Sequence, residues 1–436
     1  MLTVLMFTLG VVLFVVGVAV SIGLHEVGHM VPAKKFGVKV TQYFIGFGRT
    51  VWSRRKGETE YGLKAVPLGG YVKLVGMLPP GEHDDPHKLR KSNTGMFTQL
   101  ISDARAAEYE LVEEGDEDRL FYRLPWWKKV IVMAGGPTVN LVLAFLLFGG
   151  VFMLHGVLEP KTTVDDVSDC VIAASEAQPD RVCTNADPAA PARQAGLEKG
   201  DQILAFNGTK VTSWEQLTGL IRANDDGHAT IVYERDGERA TTTTNTTVSP
   251  RQAIDDPDEF VEVGFLGVTP EFVREQKGPV YVVTTMGDYT WQTVKALGEM
   301  PVKLIGVTKA ALGLEDRQAD SPMSVVGASR VAGEISSSHE IPLGDRFISL
   351  IMLLGGINLF VGMFNFIPLL PLDGGHIAGA LYEAVRRGLA KLFRRPDPGY
   401  FDVAKLLPVA YVMAGAILVM SVVLIYADIV APVQVG

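Results

Sequence analysis

Four uncharged runs, Met1–Leu24, Val130–Leu154, Phe347–Leu372 and Leu406–Ala427, each exceed the roughly 20 residues that cross a bilayer core, and nothing else in this chain limits its fold as much. Backbone groups in hydrocarbon have no water to bond, so runs of this length predict spanning helices. A mean hydropathy of +0.21, with 47% hydrophobic and 20% charged residues, fits a polytopic membrane protein and excludes a disordered or fibrous chain. The net charge of −9 leaves no basic field for a nucleic acid, so no nucleic-acid partner is expected. Two cysteines, Cys170 and Cys183, are too few for a disulfide scaffold or a four-cysteine zinc site and can form at most one local bridge.

Met1–Leu24 has no basic residue before it and no clear small-residue cleavage site after it, so it is expected to stay as a first span. Basic residues cluster after that run (Lys34, Lys35, Lys39, Arg49, Arg54, Arg55, Lys56), just before the second (Lys128, Lys129), and between the third and fourth (Arg386, Arg387, Lys391, Arg394, Arg395). The positive-inside rule puts these three places in the cytoplasm and both termini and residues 155–346 outside, where oxidising conditions suit a Cys170–Cys183 disulfide. The resulting domain reading takes 1–33, 126–155, 343–376 and 405–430 as spans, 34–78 as a β-hairpin element, 79–125 as an acidic cytoplasmic loop and 377–404 as a basic one. Outside lie an α/β module at 163–270 and an amphipathic return segment at 271–342.

Within 34–78, Val38–Ile45 and Tyr61–Val75 alternate in polarity and are punctuated by Gly46, Gly48, Gly57, Gly69 and Gly70, which reads as a hairpin or small sheet. The outer module carries Ala195–Gly208, a run of the form A-G-L-x-x-G-D-x-I-L-x-x-N-G, which resembles PDZ domains. Such domains bind an extended peptide by strand addition. A helical stretch Ser213–Ala223, a strand Ala229–Arg235 and a closing strand Val261–Val268 complete it, with Gly264, Phe265, Leu266 and Gly267 bounding the peptide groove. Tyr289–Leu314 reads as an amphipathic helix returning to the membrane.

The chemistry is concentrated in His25-Glu26-Val27-Gly28-His29, an H-E-x-x-H motif. On a helix, positions i and i+4 lie one turn apart on one face, so both imidazoles can reach one metal while Glu26 handles a water. Zinc suits this chemistry, because a catalytic zinc takes about three protein ligands and lowers the pKa of a bound water towards 7. The motif continues an apolar span, and ionisable groups at membrane depth default to function. A second pair, His83 and His87, also stands four apart, but Pro86 breaks the helix that would align it. The third ligand is expected at Asp373, at the end of the third span and thus on the same side as the His pair. Pro368 and Pro371 interrupt that helix, which implies a cavity that satisfies the freed backbone groups. Asn365, two helical turns inward, is placed to hold a scissile carbonyl or a substrate strand, and His376 is read as a supporting or structural residue.

HEVGH on the first span, GETEYGLKAVPLGGYVKLVGM, AGGPTVNLVLAF in the second, the PDZ-like segment and NFIPLLPLDGGH together resemble the site-2 protease family of intramembrane zinc metalloproteases, most closely its bacterial regulator-of-sigma-factor branch. The resemblance covers nearly the whole chain. It implies Zn2+ held by His25, His29 and Asp373, with Glu26 as catalytic acid and base. It also implies a membrane-associated β element at residues 61–76 that pairs with substrate, and substrate contacts at Gly70, Tyr71, Val72, Asn365 and Pro368. The expected substrate is a single-span membrane protein, typically an anti-sigma factor already trimmed outside the cell. The expected location is a bacterial inner membrane, in contact with the lipid bilayer, with the active site towards the cytoplasm and a peptide C-terminus as the ligand of the PDZ-like domain. The fold class is then a polytopic α-helical membrane protein with four transmembrane helices, a membrane-associated β-hairpin element and an extracytoplasmic PDZ-like α/β domain. The competing reading is a membrane-anchored PDZ scaffold with a vestigial metal site; an intact H-E-x-x-H together with Asp373 argues against it, because a scaffold needs neither.

Overall fold

The computed structural model describes residues 1–80, 96–110, 112–174, 181–184, 186–253, 259–318 and 320–433, which divide into two units, 1–151 with 278–436, and 152–277. His83 and His87 lie outside the described residues.

The first unit opens with α1 (Leu2–Lys35), in which the apolar run continues without a break through the H-E-x-x-H turn and ends where Gly37 turns left-handed. Then come β1 (Val40–Lys56), β2 (Thr59–Leu74), α2 (Met96–Tyr109) and α3 (Trp126–Gly150). Among the described residues, four segments are long and apolar enough to cross a membrane: Leu2–Lys35, Trp126–His155, Leu343–Asn365 and Val403–Val430.

The hairpin β1–β2 is longer than its alternating stretches suggest, and it folds over on itself. Gln42–Ile45 face Lys73–Gly70 on one side and Glu60–Leu63 on the other, while Trp52–Lys56 pair with Leu63–Thr59. Gly46 (φ +93°) and Gly69 (φ +116°) permit the two bends, since no other residue enters that region cheaply. The result is a small curled sheet with Gly70–Lys73 at one edge. A core of Met30, Ala33, Val38, Val40, Leu74, Phe121, Val132 and Met133 locks this sheet against the ends of α1 and α3. The acidic segment after it is partly anchored: Asp116 and Glu113 accept from buried Lys39 at 2.5 and 2.9 Å, and Glu108 accepts from the Gly76 and Met77 N–H groups at the end of the sheet.

The second unit contains β3 (Val157–Val167), α4 (Pro191–Gln194), β4 (Gln202–Phe206), β5 (Thr209–Lys210), α5 (Trp214–Arg222), β6 (His228–Arg235), β7 (Glu238–Asn245), β8 (Thr247–Gln252), β9 (Phe260–Phe265) and β10 (Val268–Glu275). Its main sheet runs β10-β3-β4-β6-β7, with β5 on β4; β8 and β9 pair separately. Ile203, Phe206, Leu217, Ile231 and Leu266 fill its core, and Ser213 caps α5 by accepting from the Gln216 N–H. The unit is wider than 163–270, because β3 begins at Val157 and β10 continues to Glu275. The closing strand expected over Val261–Val268 is split in two: Gly267 turns left-handed at φ +91° and Leu266 is drawn into the core. A disulfide joins Cys170 and Cys183, 13 residues apart; closing a loop of that size is worth about 3 kcal/mol on the loop-entropy account.

The chain then returns to the first unit as α6 (Pro279–Ala311), α7 (Val325–Ser337), α8 (Leu343–Asn365), α9 (Asp373–Leu392) and α10 (Leu407–Val430). The helix expected over Tyr289–Leu314 lies largely within α6, which Pro279 starts earlier and Gly313 ends, and the return segment 271–342 also holds the end of β10 and α7. One sequence expectation is corrected here. Residues 377–404 are not a basic loop: α9 occupies 373–392 and buries Gly379, Ala380 and Glu383 on one face, and Arg387, half-buried, places Nη1 3.5 Å from the Glu383 carboxylate.

Glu383 is almost wholly buried and accepts from Lys129 Nζ of α3 at 2.7 Å and from the Phe401 N–H at 3.1 Å. This ion pair ties α9 to α3. Lys129→Met is expected to cost up to about 3 kcal/mol, because it leaves the buried Glu383 carboxylate to the more distant Arg387 Nη1 at 3.5 Å, whereas the double change Lys129→Met with Glu383→Leu should recover most of it. Thermal unfolding of the three proteins in one detergent checks this.

Candidate active site

The 3.6-residue period of α1 places His25 and His29 on one face, with Nε2 atoms 3.2 Å apart. Asp373 Oδ2 approaches both, 3.4 Å from His25 Nε2 and 3.3 Å from His29 Nε2. Asp373 does not end the third span as its position in the sequence suggests. The proline-bearing stretch 366–372 separates it from α8, and it opens α9 instead. Its direction is set by the glycines that follow, since a Cβ on Gly374 would lie 2.1 Å from the Ile367 carbonyl oxygen and one on Gly375 2.6 Å from the Leu370 nitrogen. Only a residue without a side chain lets the first turn of α9 press so closely on that stretch.

His29 Nδ1 donates to the Val132 carbonyl at 2.8 Å. A carbonyl can only accept, so this bond puts the proton on Nδ1 and leaves the Nε2 lone pair facing Asp373 and His25. Two imidazole nitrogens and one carboxylate oxygen within 4.8 Å of one another are the donor set of a catalytic zinc with its fourth position open. The residues present therefore fit the metal.

Span α3 makes room for this arrangement. A Cβ on Gly136 would fall 2.2 Å from His29 Nε2 and 2.7 Å from His25 Nε2, and Gly28 and Gly135 meet backbone to backbone. Glycines at the crossing let α3 lie directly on the H-E-x-x-H turn, the close approach that small residues allow between membrane helices.

The three side chains open into a cavity of about 400 Å³, lined also by Glu26, the Gly69–Val72 edge of β2, Asn140, Asn365, Pro371 and His376. Gly70 is pressed against Glu26, its Cβ position lying 3.1 Å from Glu26 Cγ. The cavity thus gathers His25, Glu26, His29, Asp373, Gly70, Tyr71, Val72 and Asn365 from the residues singled out in the sequence. It does not gather Pro368, which is exposed; the turn before α9 brings Pro371 there instead. Asn365 is the last residue of α8, not two turns within a helix that runs on to Asp373. Gly264, Phe265, Leu266 and Gly267 belong to the other unit.

Sequence reasoning passed over Asn140, which is buried in α3, lines the cavity and has an Oδ1 atom without a hydrogen-bond partner among the described residues. The available signal was a carboxamide in a span otherwise free of strongly polar side chains after Lys129.

Residues 13–395 match peptidase family M50. The chain is similar to the zinc metalloprotease Rip1 of Mycobacterium tuberculosis, with 32% identity over 441 residues that cover 99% of both chains. It is similar also to the metalloprotease MmpA of Caulobacter vibrioides, 26% identical over 86% of each chain, and to the regulator of sigma-E protease RseP of Escherichia coli, 26% identical over 86% of this chain and 90% of that one. A family match across the catalytic core, joined to an end-to-end alignment with Rip1, means that this chain belongs to peptidase family M50, the site-2 proteases.

Proposed function

We propose that the chain is an intramembrane zinc metallopeptidase that hydrolyses a peptide bond within or near the transmembrane helix of a single-span regulatory protein, such as an anti-sigma factor, after that protein has been trimmed outside the cell. The observation that carries this reading is the convergence of His25, His29 and Asp373 on one point in a cavity that also holds Glu26 and a strand edge. The similarity to RseP, a regulator of sigma-E protease, supports the choice of substrate class.

His25, His29 and Asp373 would hold a zinc ion, which would supply Lewis acidity there. Glu26 takes the proton of the attacking water and returns it to the leaving amine nitrogen as the C–N bond breaks. A substrate helix has every backbone group paired, so it must unwind before a scissile carbonyl is accessible, and the freed groups need partners at membrane depth. The outer edge of Gly70–Lys73 offers those partners by strand pairing, directly beside Glu26. Asn140 and Asn365 add carboxamides to the cavity lining that can hold the unwound backbone.

In this reading both termini and the unit 152–277 are extracytoplasmic, a placement that the basic clusters support. The unit acts as a PDZ-like module, and the Gly264–Gly267 stretch is its peptide groove. The test is reconstitution with a single-span substrate, with the cut located by mass spectrometry. Cutting within or next to the substrate's span, abolished by a chelator and restored by Zn2+, is the expected result. Cutting that persists in protein shown to be zinc-free sinks the proposal.

A further inference from the structure

Helix α9 has two apolar faces, and the protein uses one of them. Gly379, Ala380 and Glu383 are buried on the first. The second carries Leu381, Tyr382, Val385, Leu389, Leu392 and Phe393, all exposed, with Leu392 at 73% and Phe393 at 66%. At 3.6 residues per turn these six fall within one arc of about 120°, which is the continuous stripe of a surface helix and not a scatter of single side chains. The position of the stripe follows from what the helix packs against. Asp373 starts α9 beside His29, whose ring is bonded to the Val132 carbonyl, and further along Glu383 meets Lys129. α9 thus runs antiparallel to α3 and leaves the bundle of spans where α3 enters it at Trp126, the end that the basic clusters place at the cytoplasmic leaflet. It continues to Leu392, about 14 Å beyond Glu383 at 1.5 Å per residue.

The last turns of α9 also carry charge that the protein leaves unused. Arg386 donates from Nη2 to the Pro398 carbonyl, and Arg387 stands beside Glu383 and Asp397. Lys391, Arg394 and Arg395, by contrast, are exposed and meet no acidic side chain among the described residues. The Arg395 N–H closes on the Ala390 carbonyl at 2.7 Å, with Arg394 left-handed at φ +53°, so the three cations are kept at one end of the apolar stripe. Cations beside exposed Leu389, Leu392 and Phe393 match a surface that is negative at headgroup depth and apolar just beneath, which is a leaflet containing anionic lipid. A soluble acidic partner would neutralise the cations and leave the stripe in water.

We propose that the C-terminal half of α9 is a docking surface for anionic phospholipid, with headgroup phosphates taken by Lys391, Arg394 and Arg395 and acyl chains by the stripe that ends in Leu389, Leu392 and Phe393. This rests on the reading of the chain as membrane-embedded with that end in the cytoplasm, and not on its peptidase chemistry. Charge here selects which lipids sit against α9, whereas the four spans already decide that the protein is in the bilayer. Docked in this way α9 is held at both ends, by the close packing of Gly374 and Gly375 on the 366–372 stretch at one and by lipid at the other.

The test uses the full-length protein in nanodiscs of mixed phosphatidylcholine and phosphatidylglycerol. A fluorophore on Leu392→Cys reports the contact, since Cys170 and Cys183 are joined to each other and do not compete for the label. A quencher is carried on the acyl chain of one lipid or of the other, at equal mole fraction. Quenching by labelled phosphatidylglycerol should exceed that by labelled phosphatidylcholine about threefold or more, and the combined change Lys391→Gln, Arg394→Gln and Arg395→Gln should make the two equal. Native mass spectrometry of the unsubstituted protein from an equimolar mixture is the second measurement: phosphatidylglycerol should be retained in preference to phosphatidylcholine, and the charge variant should retain less of it. Equal quenching by the two lipids, quenching by neither, equal retention of the two, or an undiminished preference in the folded charge variant overturns the proposal; quenching by neither is what a soluble partner or a second copy covering the stripe produces. Neither measurement reads cutting, so failure here leaves the protease reading standing, and failure of the protease test leaves the lipid result intact.

Discussion

Glu26→Gln is expected to purify with as much zinc as the wild type and to cut its substrate about a thousandfold more slowly. The two readouts separate because of where Glu26 stands. His25, His29 and Asp373 supply the converging donor atoms, whereas Glu26 belongs to the same helix turn but lines the cavity beside Gly70. A glutamine there preserves the shape of the site and cannot accept a proton from water, and general acid–base groups of this kind are worth roughly 10² to 10⁴ in rate. Replacing one of the three proposed ligands should behave differently: His29→Ala or Asp373→Ala should lower metal content and activity together. Zinc content by mass spectrometry and single-turnover cutting of one substrate decide the matter, and an active Glu26→Gln protein removes Glu26 from the chemistry.

Gly136→Ala should be nearly as damaging, although it adds a single methyl group to a residue that has no chemistry of its own. The new carbon would fall 2.2 Å from His29 Nε2 and 2.7 Å from His25 Nε2, far inside contact distance. Either α3 withdraws from α1, which breaks the His29–Val132 hydrogen bond that fixes the ring, or the imidazoles turn away from Asp373. Both outcomes spoil the donor set, so bound zinc should fall at least tenfold, the scale seen when groups that orient metal ligands are lost. Gly150→Ala, at the end of the same helix, is the control, because its added carbon meets nothing within 4 Å. Wild-type zinc content in Gly136→Ala would show that α3 does not rest on the His pair.

The elements that the sequence settled by itself are those ruled by local or one-dimensional physics. The apolar runs became helices because length and hydrocarbon leave no other structure, and the H-E-x-x-H spacing put two imidazoles on one face because the helical period does so wherever the motif stands. The broad β character of 34–78 was likewise legible in its alternation and glycines. What depended on distant parts of the chain was not legible. Asp373 sits 344 residues from His29, and its approach depends on a new helix that starts after a proline-bearing turn, where the sequence reads as the tail of a span. The basic stretch 377–404 hid α9 because its buried face is short and its one buried acid, Glu383, is neutralised by Lys129 from a different span. The double pairing of Gln42–Ile45, the demand of the His pair for a bare Gly136 and the presence of Asn140 in the cavity all follow from which helices and strands come to lie side by side. The sequence named the chemical groups because covalent structure and helical period act over a few residues; packing alone brought them to one point, because close approach is a property of pairs of surfaces that no single stretch of chain contains.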